Sequence, residues 1–389
     1  MIPDINVWGT FGPITMVSST TDCKLHITML CSSTVWAGTE KWSLRAAETL
    51  AQIGHDVTFI ARKPEMFMQR QENPGLVTFR PLPLMNDLDL FSFYLLCSWL
   101  GRHADVLIST RVRDYWLGGL AAKLVGVPEL MRLGVERKPR ENYWRDRWRY
   151  GKLPSAIMVN AHAILDLLAT SPLIDPETVH VIYNGVETPG LGDAEIRSAV
   201  RSELSVRENE ILVLGAGRLA TEKRWHWVIE AVVELRKRGI SVKAFVFGSG
   251  NENAKLIDQV EELNAGEWVH FPGSTTNVDR YLSAADVAVL PSKVEGLSNS
   301  MLEALGRGVA TLATSAGGAS EKLVSGHDLI LVGNDDKAAF IDQLAVLCQD
   351  SDLRSTLGKQ GLDTVRREFS WQRMGEELEP VLYGLVSQT

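Results

Sequence analysis

Short apolar runs typical of buried strands alternate with helix-like segments along most of the chain, and this alternation most constrains its fold. In the first half the strand-like runs are residues 25–30, 57–60, 105–108, 156–159 and 179–182. In the second half they are residues 211–215, 242–247, 268–271, 286–290 and 310–314. Strands that alternate with helices form parallel sheets covered on both faces. We therefore predict an α/β fold with two Rossmann-like, doubly wound parallel-sheet domains that face each other across an interdomain cleft.

A polar stretch, residues 187–210, separates the two halves and contains Pro189, Gly190 and Gly192. This composition is typical of a connection between domains. We predict one domain at residues 1–188, a second at residues 189–367 and a final helical segment at residues 368–389. Residues 1–22 show no clear periodicity, and they are either disordered or an extension of the first strand.

The composition narrows the classes of function. A chain of 389 residues is long enough for two domains with separate cores. Its net charge of −8 argues against general nucleic-acid binding. The four cysteines, at positions 23, 31, 97 and 348, form no Cys-x-x-Cys motif and fit a reducing compartment. With no secretory signal and no apolar run long enough to span a bilayer, we expect a cytoplasmic protein. The apolar segment 88–100 is predicted to be a core or interfacial helix.

The segment from Pro291 to Glu303 carries the strongest functional signal. It follows the apolar run 286–290, and Leu302 and Leu305 continue it at helical spacing, so we predict a strand, a polar loop and a helix. A helix that begins at Ser298 or Asn299 would offer free N–H groups and the positive end of its dipole to a phosphate.

Two glutamates, Glu295 and Glu303, belong to this segment and are separated by seven residues. Glu303 would lie about one turn inside the helix, where a carboxylate can accept both hydroxyls of a ribose. Glu295 would lie on the loop, beside the group that the phosphate carries. Although most glutamate pairs at a fixed spacing are solvated surface charges, a phosphate site, a ribose site and a third contact together suggest a nucleotide-activated donor.

An ordered set of short motifs carries a resemblance to a known family. In the second half these are residues 216–223, 246–250, 271–273, 285–287, 291–292, 295–304 and 317–321. Looser matches are residues 38–40, 51–57, 183–186 and 369–371. From about residue 24 to residue 385 the chain resembles the family 4 retaining glycosyltransferases of GT-B architecture, including those of bacterial cell-surface polysaccharide and lipopolysaccharide synthesis.

The resemblance implies a metal-independent hexosyltransferase with a UDP- or GDP-linked sugar as donor and no separate cofactor. The acceptor would be a glycan or a lipid-linked saccharide bound by the N-terminal domain, and the final helix would cross back to that domain. In this family, retention is usually explained by front-face attack, in which the leaving phosphate helps to take the acceptor proton. A covalent intermediate on Glu295 is the alternative.

The resemblance also assigns roles to individual residues. Catalytic roles go to Glu295, Arg218 and Lys223, with the two cations facing the leaving diphosphate and Glu222 orienting Lys223. The donor-binding residues would be Glu303, Gly296, Leu297, Ser298, Asn299, Gly38, Thr39, Gly248 and Phe271. Gly248 and Gly250 would form a turn that admits the base. No metal site is predicted.

Two local features depart from the family or compete with it. Many relatives place a histidine near the end of a middle strand of the first domain, whereas residues 130–135 contain none and offer Arg132 instead. Asp87 and Asp89 resemble the Asp-x-Asp metal motif of the other glycosyltransferase architecture, and we interpret this as coincidence. Two other functions stay open: a nucleotide-sugar epimerase or hydrolase of similar fold, and a non-enzymatic nucleotide-sugar-binding partner subunit.

Residues 132–152 combine eight basic residues, three acidic residues and four aromatic residues. Basic and aromatic residues together suit an anionic lipid surface or a phosphorylated acceptor. The segment is therefore predicted either to steer an anionic acceptor or to make peripheral contact with the inner face of a membrane. The competing interpretation is a solvated helix whose tryptophans pack inward.

Overall fold

The computed structural model describes residues 24–134, 138–190 and 192–388. The expectation for residues 1–22, and the part of the basic segment at residues 135–137, lie outside the described residues. The described chain forms two parallel sheets, one of seven strands and one of six. The predicted α/β fold with two Rossmann-like domains is therefore confirmed.

The first domain consists of a seven-stranded sheet in the order β3-β2-β1-β4-β5-β6-β7 and its helices. Its strands are β1 His26–Cys31, β2 Asp56–Ala61, β3 Thr78–Pro81, β4 Val106–Ser109, β5 Glu129–Leu133, β6 Ala156–Val159 and β7 Val179–Val181. Its helices are α1 Gly38–Gln52, α2 Pro64–Met68, α3 Leu90–His103, α4 Val112–Val125, α5 Trp144–Gly151 and α6 His162–Ala169. All pairs of neighbouring strands are parallel.

The second domain consists of a six-stranded sheet in the order β10-β9-β8-β11-β12-β13 and its helices. Its strands are β8 Ile211–Ala216, β9 Val242–Phe247, β10 Val269–Gly273, β11 Val287–Leu290, β12 Ala310–Thr314 and β13 Ile330–Val332. Its helices are α7 Ala194–Glu203, α8 His226–Lys237, α9 Asn253–Glu262, α10 Val278–Leu282, α11 Asn299–Gly306, α12 Ala319–Lys322, α13 Lys337–Gln349 and α14 Ser351–Glu368.

The strand order reverses once in each sheet, between β1 and β4 in the first and between β8 and β11 in the second. At such a switch point the loops after the two strands diverge and leave a crevice beyond the carboxyl ends of the strands. The central strands β4, β6, β11 and β12 are buried along their whole length, which explains why they read as unbroken apolar runs.

The final helix, α15 Trp371–Ser387, leaves the second domain and packs on the first. Its apolar residues Met374, Leu378 and Leu382 are buried in one cluster with Leu50 of α1 and Phe59 of β2. The first domain therefore completes its core with the end of the chain.

A carboxylate of the second domain caps a helix of the first. Glu321 on α12 accepts hydrogen bonds from the backbone N–H groups of His162 and Ala163, each at 2.8 Å, and from the Tyr183 hydroxyl at 2.8 Å. Burial acts to raise the pKa of Glu321, but these hydrogen bonds outweigh it and lower the pKa. The N-cap residue of α6, Ala161, has no polar side chain that could accept from these N–H groups. Glu321 caps the helix from the second domain instead, so this contact fixes the two domains relative to each other.

Helix α3 contains most of the apolar segment 88–100. It buries Leu96 and Leu100, while Leu90, Phe91 and Tyr94 are exposed on its opposite face. Over the described residues, no helix combines the length and apolar character needed to cross a bilayer.

Candidate active site

A cleft of about 840 Å³ lies between the two sheets, beyond the carboxyl ends of their strands. Its lining includes Ser32, Ser33, Thr39, Thr110, Arg111 and Tyr115 from the first domain. From the second domain come Arg218, Glu222, Lys223, Val294, Glu295 and Gly296. The cleft therefore brings together the three residues predicted to be catalytic, which belong to the loops after β8 and β11.

Lys223 and Glu295 form an ion pair inside this cleft. The Nζ of Lys223 contacts the Oε1 of Glu295, and the Ser292 hydroxyl donates to the same oxygen at 2.9 Å. Both charged side chains are largely buried, so each charge depends on the other for compensation. The pair therefore holds a cation and a carboxylate side by side beyond the carboxyl ends of the adjacent strands β8 and β11.

Arg218 pairs with Glu222, the carboxylate that the sequence analysis assigned to Lys223. Its Nη2 donates to Oε1 of Glu222 at 2.6 Å, and its side chain is 67% exposed to the cleft. The prediction that Glu222 orients Lys223 is wrong, because the turn at residues 221–223 points Lys223 towards Glu295 and leaves Glu222 beside Arg218. The Trp225 indole donates to the Arg218 carbonyl at 3.0 Å and fixes the backbone of the loop.

The loop that carries Glu295 is packed tightly between the domains. A Cβ atom on Gly296 would lie 2.9 Å from Oδ1 of Asn160 in the first domain. A Cβ atom on Gly317, whose φ is +59°, would lie 2.1 Å from the Glu295 carbonyl oxygen. Leu297 is buried, and its carbonyl accepts from Nδ2 of Asn160 at 3.4 Å. Only glycine fits at residue 317, a side chain at residue 296 would require Asn160 to shift, and the packing fixes the position of Glu295.

Two helix N-termini meet beside this loop. Helix α11 begins at Asn299 with Ser298 as its N-cap, as predicted, but the Ser298 side chain makes no capping hydrogen bond. Helix α1 begins at Gly38, and a Cβ atom there would lie 3.4 Å from Nδ2 of Asn299. The positive ends of both helix dipoles therefore face one region, which favours an anion.

Glu303 lies one turn inside α11, but it does not line the cleft. Its Oε1 lies 2.5 Å from Nζ of Lys41 on α1. Burial raises the pKa of Glu303, and the charge of Lys41 acts against this. Burial acts to lower the pKa of Lys41, but the charges of Glu303, Asp279 and Glu187 and the hydrogen bond to Glu303 together outweigh it and raise the pKa. A ribose that binds to Glu303 must share this carboxylate with Lys41.

The structure gives Gly248 a packing role. A Cβ atom on Gly248 would lie 1.8 Å from the carbonyl oxygen of Gly217, and one on Gly250 would lie 2.1 Å from that of Leu219. The turn after β9 therefore supports the loop that carries Arg218. Phe271 packs against the core of the second domain. Neither Gly248 nor Phe271 lines the cleft, so their predicted contact with the base stays a prediction.

Arg132 occupies the end of β5, where the family resemblance led us to look for a histidine. Its side chain stacks on Trp42, with its Cζ 4.2 Å from the ring centre, and its Nη2 donates to Oδ1 of Asn184 at 3.2 Å. Its Nε has no hydrogen-bond partner among the described residues. Only 5% of the residue is exposed, and burial lowers the pKa of the guanidinium to about 10. The cleft therefore has a buried cation in its wall.

A network of hydrogen bonds links this cation to the second domain. Asn184, which accepts from Arg132, donates from Nδ2 to Oδ1 of Asn299 at 2.7 Å. The Tyr115 hydroxyl donates to the Arg132 carbonyl at 2.5 Å. Arg132 is thereby tied to the N-terminus of α11, which was not foreseen because Asn184 and Asn299 are 115 residues apart.

The sequence interpretation missed three further arginines of the cleft: Arg62, Arg111 and Arg113. Each one closely follows a strand, Arg62 after β2 and the other two after β4. Because ligands of doubly wound sheets bind beyond the strand ends, position immediately after a strand is the signal that could have identified them. Lys41 carries no such signal, since it lies inside a helix.

The Asp-x-Asp motif has structural roles. Asp89 is the N-cap of α3 and accepts from the Ser92 backbone N–H at 2.9 Å. Asp87 accepts from Nη1 of Arg145 at 3.3 Å. Within the described ranges, no group of three or more histidine, cysteine or acidic side chains is arranged to hold a metal ion.

The basic segment 132–152 is divided between the interior and the surface. Arg132 and Arg149 are buried, and Arg149 lies 3.4 Å from Asp146. Trp144 and Trp148 are exposed, by 56% and 43%, so the interpretation that both tryptophans pack inward is wrong. The segment therefore offers a mixed surface of tryptophan and basic side chains.

Two glycosyltransferase families match most of the chain. Residues 36–189 match the family described as Glycosyltransferase Family 4, and residues 197–364 match Glycosyl transferases group 1. The chain is 27% identical over 288 residues to alpha-maltose-1-phosphate synthase of Mycolicibacterium smegmatis, covering 67% of this chain and 74% of that protein. It is 25% identical over 336 residues to the lipopolysaccharide core biosynthesis glycosyltransferase LpsE of Rhizobium meliloti, covering 86% and 92%.

Solved structures share the fold. Anabaena Alr3699/HepE in complex with UDP and glucose superposes with a TM-score of 0.81 at 17% identity, covering 93% of this chain and 100% of that one. WaaG, a glycosyltransferase involved in lipopolysaccharide biosynthesis, superposes with a TM-score of 0.71 at 16% identity, covering 92% and 100%. At these identities the likeness establishes the architecture alone.

Proposed function

This chain belongs to the family 4-type glycosyltransferases of GT-B fold, and from that premise we propose that it is a retaining enzyme that uses a UDP- or GDP-linked sugar. The acceptor is a glycan or a lipid-linked saccharide of cell-surface polysaccharide synthesis. The observation that carries the proposal is the Lys223–Glu295 ion pair, which lies in the cleft with Arg218 and beside the N-termini of α1 and α11.

The cations serve the leaving group. As the bond between the anomeric carbon and the phosphate oxygen breaks, negative charge grows on the diphosphate. Arg218 is exposed to the cleft and Lys223 reaches into it, so both can contact the phosphate oxygens without a metal ion. The two helix N-termini add backbone N–H groups and dipole charge. Solved neighbours in complex with UDP and with UDP-glucose support a nucleotide-sugar donor.

Glu295 serves the sugar. When a phosphate draws the Lys223 ammonium away, the Glu295 carboxylate is free to accept donor-sugar hydroxyls and to stabilise positive charge at the anomeric carbon. The acceptor oxygen attacks from the face that the diphosphate leaves. Its proton passes to the departing phosphate oxygen, so the new bond keeps the configuration of the donor. This front-face route needs no covalent bond to Glu295.

A thermal-shift screen of UDP, GDP, ADP and their sugars tests the donor. We expect one nucleoside diphosphate to raise Tm in a concentration-dependent manner, because a ligand stabilises the state that it binds. Substitution of Lys223 by Met should reduce this shift, whereas Lys237→Met, at the end of α8, should leave it unchanged. Absence of any shift with all three nucleotides would contradict the proposal.

Turnover assays separate this function from the two alternatives. Transfer to an added acceptor supports the transferase, acceptor-free conversion supports an epimerase or hydrolase, and binding without turnover supports a partner subunit. Glu295→Ala should abolish transfer while it preserves nucleotide binding. The anomeric configuration of the product, measured by NMR, tests retention, and activity in EDTA tests metal independence.

We also propose that the enzyme makes peripheral contact with the inner face of an anionic membrane through α3 and α5. Phe91 and Tyr94 of α3 and Trp144 and Trp148 of α5 are exposed. An ion pair between Asp87 and Arg145, at 3.3 Å, joins the beginnings of the two helices. Exposed aromatic residues beside basic side chains suit a lipid headgroup region.

Flotation with vesicles that contain phosphatidylglycerol tests this contact. We expect wild-type protein to float, and Phe91→Ser/Trp144→Ser to float much less. Ile257→Ser, which removes an exposed apolar side chain on α9, should behave like wild type. Equal flotation of all three proteins, or none of wild type, would reject the membrane contact.

A further inference from the structure

The two walls of the cleft differ in their charge balance. Among the lining residues of the second domain, Arg218 pairs with Glu222 and Lys223 pairs with Glu295. The described lining residues of the first domain include four basic side chains and no carboxylate; they are Arg62, Arg111, Arg113 and Arg132. The first wall therefore carries an excess of positive charge that the second wall does not balance.

Two of these arginines contact consecutive residues of the chain, Leu84 and Met85. Nη1 of Arg113 donates to the Leu84 carbonyl oxygen at 3.1 Å, and Nη2 of Arg62 lies 3.9 Å from Sδ of Met85. Leu84 is fully buried and has a φ of +44°, a conformation that non-glycine residues seldom adopt. The strained turn presents its carbonyl to Arg113 and so fixes the position of that guanidinium.

The carboxylates behind this wall compensate its charge only in part. Arg111 lies 3.0 Å from Oε1 of Glu40, which is fully buried. Arg113 lies 4.0 Å from Asp87, which also pairs with Arg145 at 3.3 Å. At that end of the wall, the Asp87 carboxylate therefore compensates the charges of two guanidinium groups.

Arg62 has less compensation than its neighbours. In the portion of the chain that the structure describes, no carboxylate lies within ion-pair distance of it. The other acidic group of this region, Asp114, is buried and accepts from the Ser32 backbone N–H at 3.1 Å. Burial raises the pKa of Asp114 to about 7, so it supplies only part of a negative charge near neutral pH. Arg62 and Arg113 thus leave a net positive charge facing the cleft.

The donor does not require these arginines. Its diphosphate is matched by Arg218, Lys223 and the helix N-termini, all at the second wall or at the junction of the domains. The first wall lies opposite and adds the hydroxyls of Ser32, Ser33 and Thr110, which suit the hydroxyls of a sugar. A planar guanidinium binds the two oxygens of a phosphate or carboxylate in a fork.

We infer that the first wall of the cleft binds an anionic acceptor, which carries a phosphate or carboxylate close to the hydroxyl that is glycosylated, and that Arg62 and Arg113 hold this group. The inference rests on the proposed transferase function, because it assigns the second substrate of that same cleft. It restricts the acceptor class to phosphorylated or uronic-acid-containing saccharides and excludes neutral glycans as the preferred substrate.

Binding of three small probes tests the inference in the presence of saturating UDP, or GDP if GDP binds more tightly. The probes are methyl α-glucoside, glucose 6-phosphate and glucuronate, titrated by calorimetry. We expect glucose 6-phosphate or glucuronate to bind at least about 10-fold more tightly than the neutral glucoside, since one charged hydrogen-bonded pair is worth a factor of this order. A higher affinity for the phosphate assigns a phosphorylated acceptor, and a higher affinity for glucuronate assigns a uronic acid.

The double variant Arg62→Gln/Arg113→Gln should lose this preference, with a fall of about 10-fold or more for the charged probes, while its affinity for UDP changes less than about twofold. Arg102→Gln/Arg207→Gln removes the same charge from the surface outside the cleft and should match wild type.

Equal binding of charged and neutral probes, or an unchanged preference in Arg62→Gln/Arg113→Gln, would overturn the inference while UDP binding still supports the transferase. Loss of nucleotide binding by wild type would contradict the proposed function itself. The nucleotide titration and the probe titration therefore report the two failures separately.

Discussion

The Nζ of Lys41 lies 2.5 Å from the Oε1 of Glu303 and joins α1 of the first domain to α11 of the second. The Glu303 side chain is only 14% exposed, so its charge depends on this partner. Asp279 of α10 lies 3.8 Å from the same ammonium. The carboxylate that the sequence assigned to a ribose is therefore paired with a cation of the opposite domain.

Removal of Lys41 should leave a buried charge without a partner. We expect Lys41→Met to lower the free energy of unfolding by about 1 to 3 kcal/mol, because a broken ion pair costs the desolvation of the remaining ion. In Lys41→Met/Glu303→Gln much of the loss should return. Urea unfolding of the wild type, both single variants and the double variant measures the coupling. Additive effects of the two substitutions would show that the pair contributes nothing.

The Lys223–Glu295 pair should matter for turnover more than for folding. We expect Lys223→Met and Glu295→Gln each to reduce kcat/KM at least about 100-fold, the usual effect of losing one stabilising group at a developing charge. Lys223→Met should also lower Tm, because it leaves the largely buried Glu295 carboxylate unpaired, so kcat/KM is compared at a temperature at which both variants are folded. Glu234→Gln breaks an exposed ion pair with Arg238 outside the cleft and serves as the control. A reduction below about fivefold would remove the pair from the mechanism.

Gly134 leaves the space that the Arg132 guanidinium occupies. A Cβ atom there would lie 2.7 to 2.8 Å from three guanidinium atoms, so Gly134→Ala should force the side chain from its place on Trp42. We expect a destabilisation of about 1 to 3 kcal/mol by overpacking, measured by chemical unfolding.

In an Arg132→Met background the same alanine should cost much less, because the clash is gone. Gly266→Ala, which meets no atom within 4 Å, is the matched control. If Gly134→Ala destabilises both backgrounds equally, its effect does not come from contact with Arg132.

Glu129 should make stability fall as the pH rises above neutrality. Burial raises the pKa of Glu129 to about 8 from its ordinary value of 4.5. The folded chain therefore holds this proton at a pH where the unfolded chain has released it. The resulting stability is fully present below pH 4.5 and is lost as the pH rises through 8. Between pH 6 and pH 9 the loss should be on the order of 2 kcal/mol.

Glu129→Gln lacks this titration, so its stability relative to wild type should increase over the same pH range. Urea unfolding at pH 6, 7, 8 and 9 measures the difference. The exposed Glu177→Gln should follow the pH dependence of wild type. Parallel curves for wild type and Glu129→Gln would mean that Glu129 is ionised throughout.

The sequence predicted most strands that form an apolar run, including the edge strands β7 and β10, but it did not identify β3, β5 or β13. β6, Ala156–Val159, is buried on both faces and was predicted residue by residue, because every position is apolar. β3, Thr78–Pro81, lies at the edge of its sheet with mostly exposed residues, so it has no apolar run to detect. β13, Ile330–Val332, has three residues and is too short to give a pattern.

The sequence likewise predicted one part of the candidate site and missed another. The sequence located the loop after β11, the start of α11 and the cations after β8, because strand ends and helix starts leave local signals. It could not foresee that Glu222 pairs with Arg218, or that Gly248 packs on Gly217. These contacts depend on the conformations of loops whose ends are set by the sheet.

By itself, then, the order of apolar and polar residues determined two parallel sheets and the loops that carry Arg218, Lys223 and Glu295. Only the tertiary structure decided which groups meet across the domains: Lys41 with Glu303, and Asn184, which accepts from Arg132, with Asn299. The physical reason is range. Periodicity and chain reversal involve residues that are close in sequence. Charge pairs such as Lys41–Glu303 join residues that are far apart in sequence and come close only after both domains have packed together.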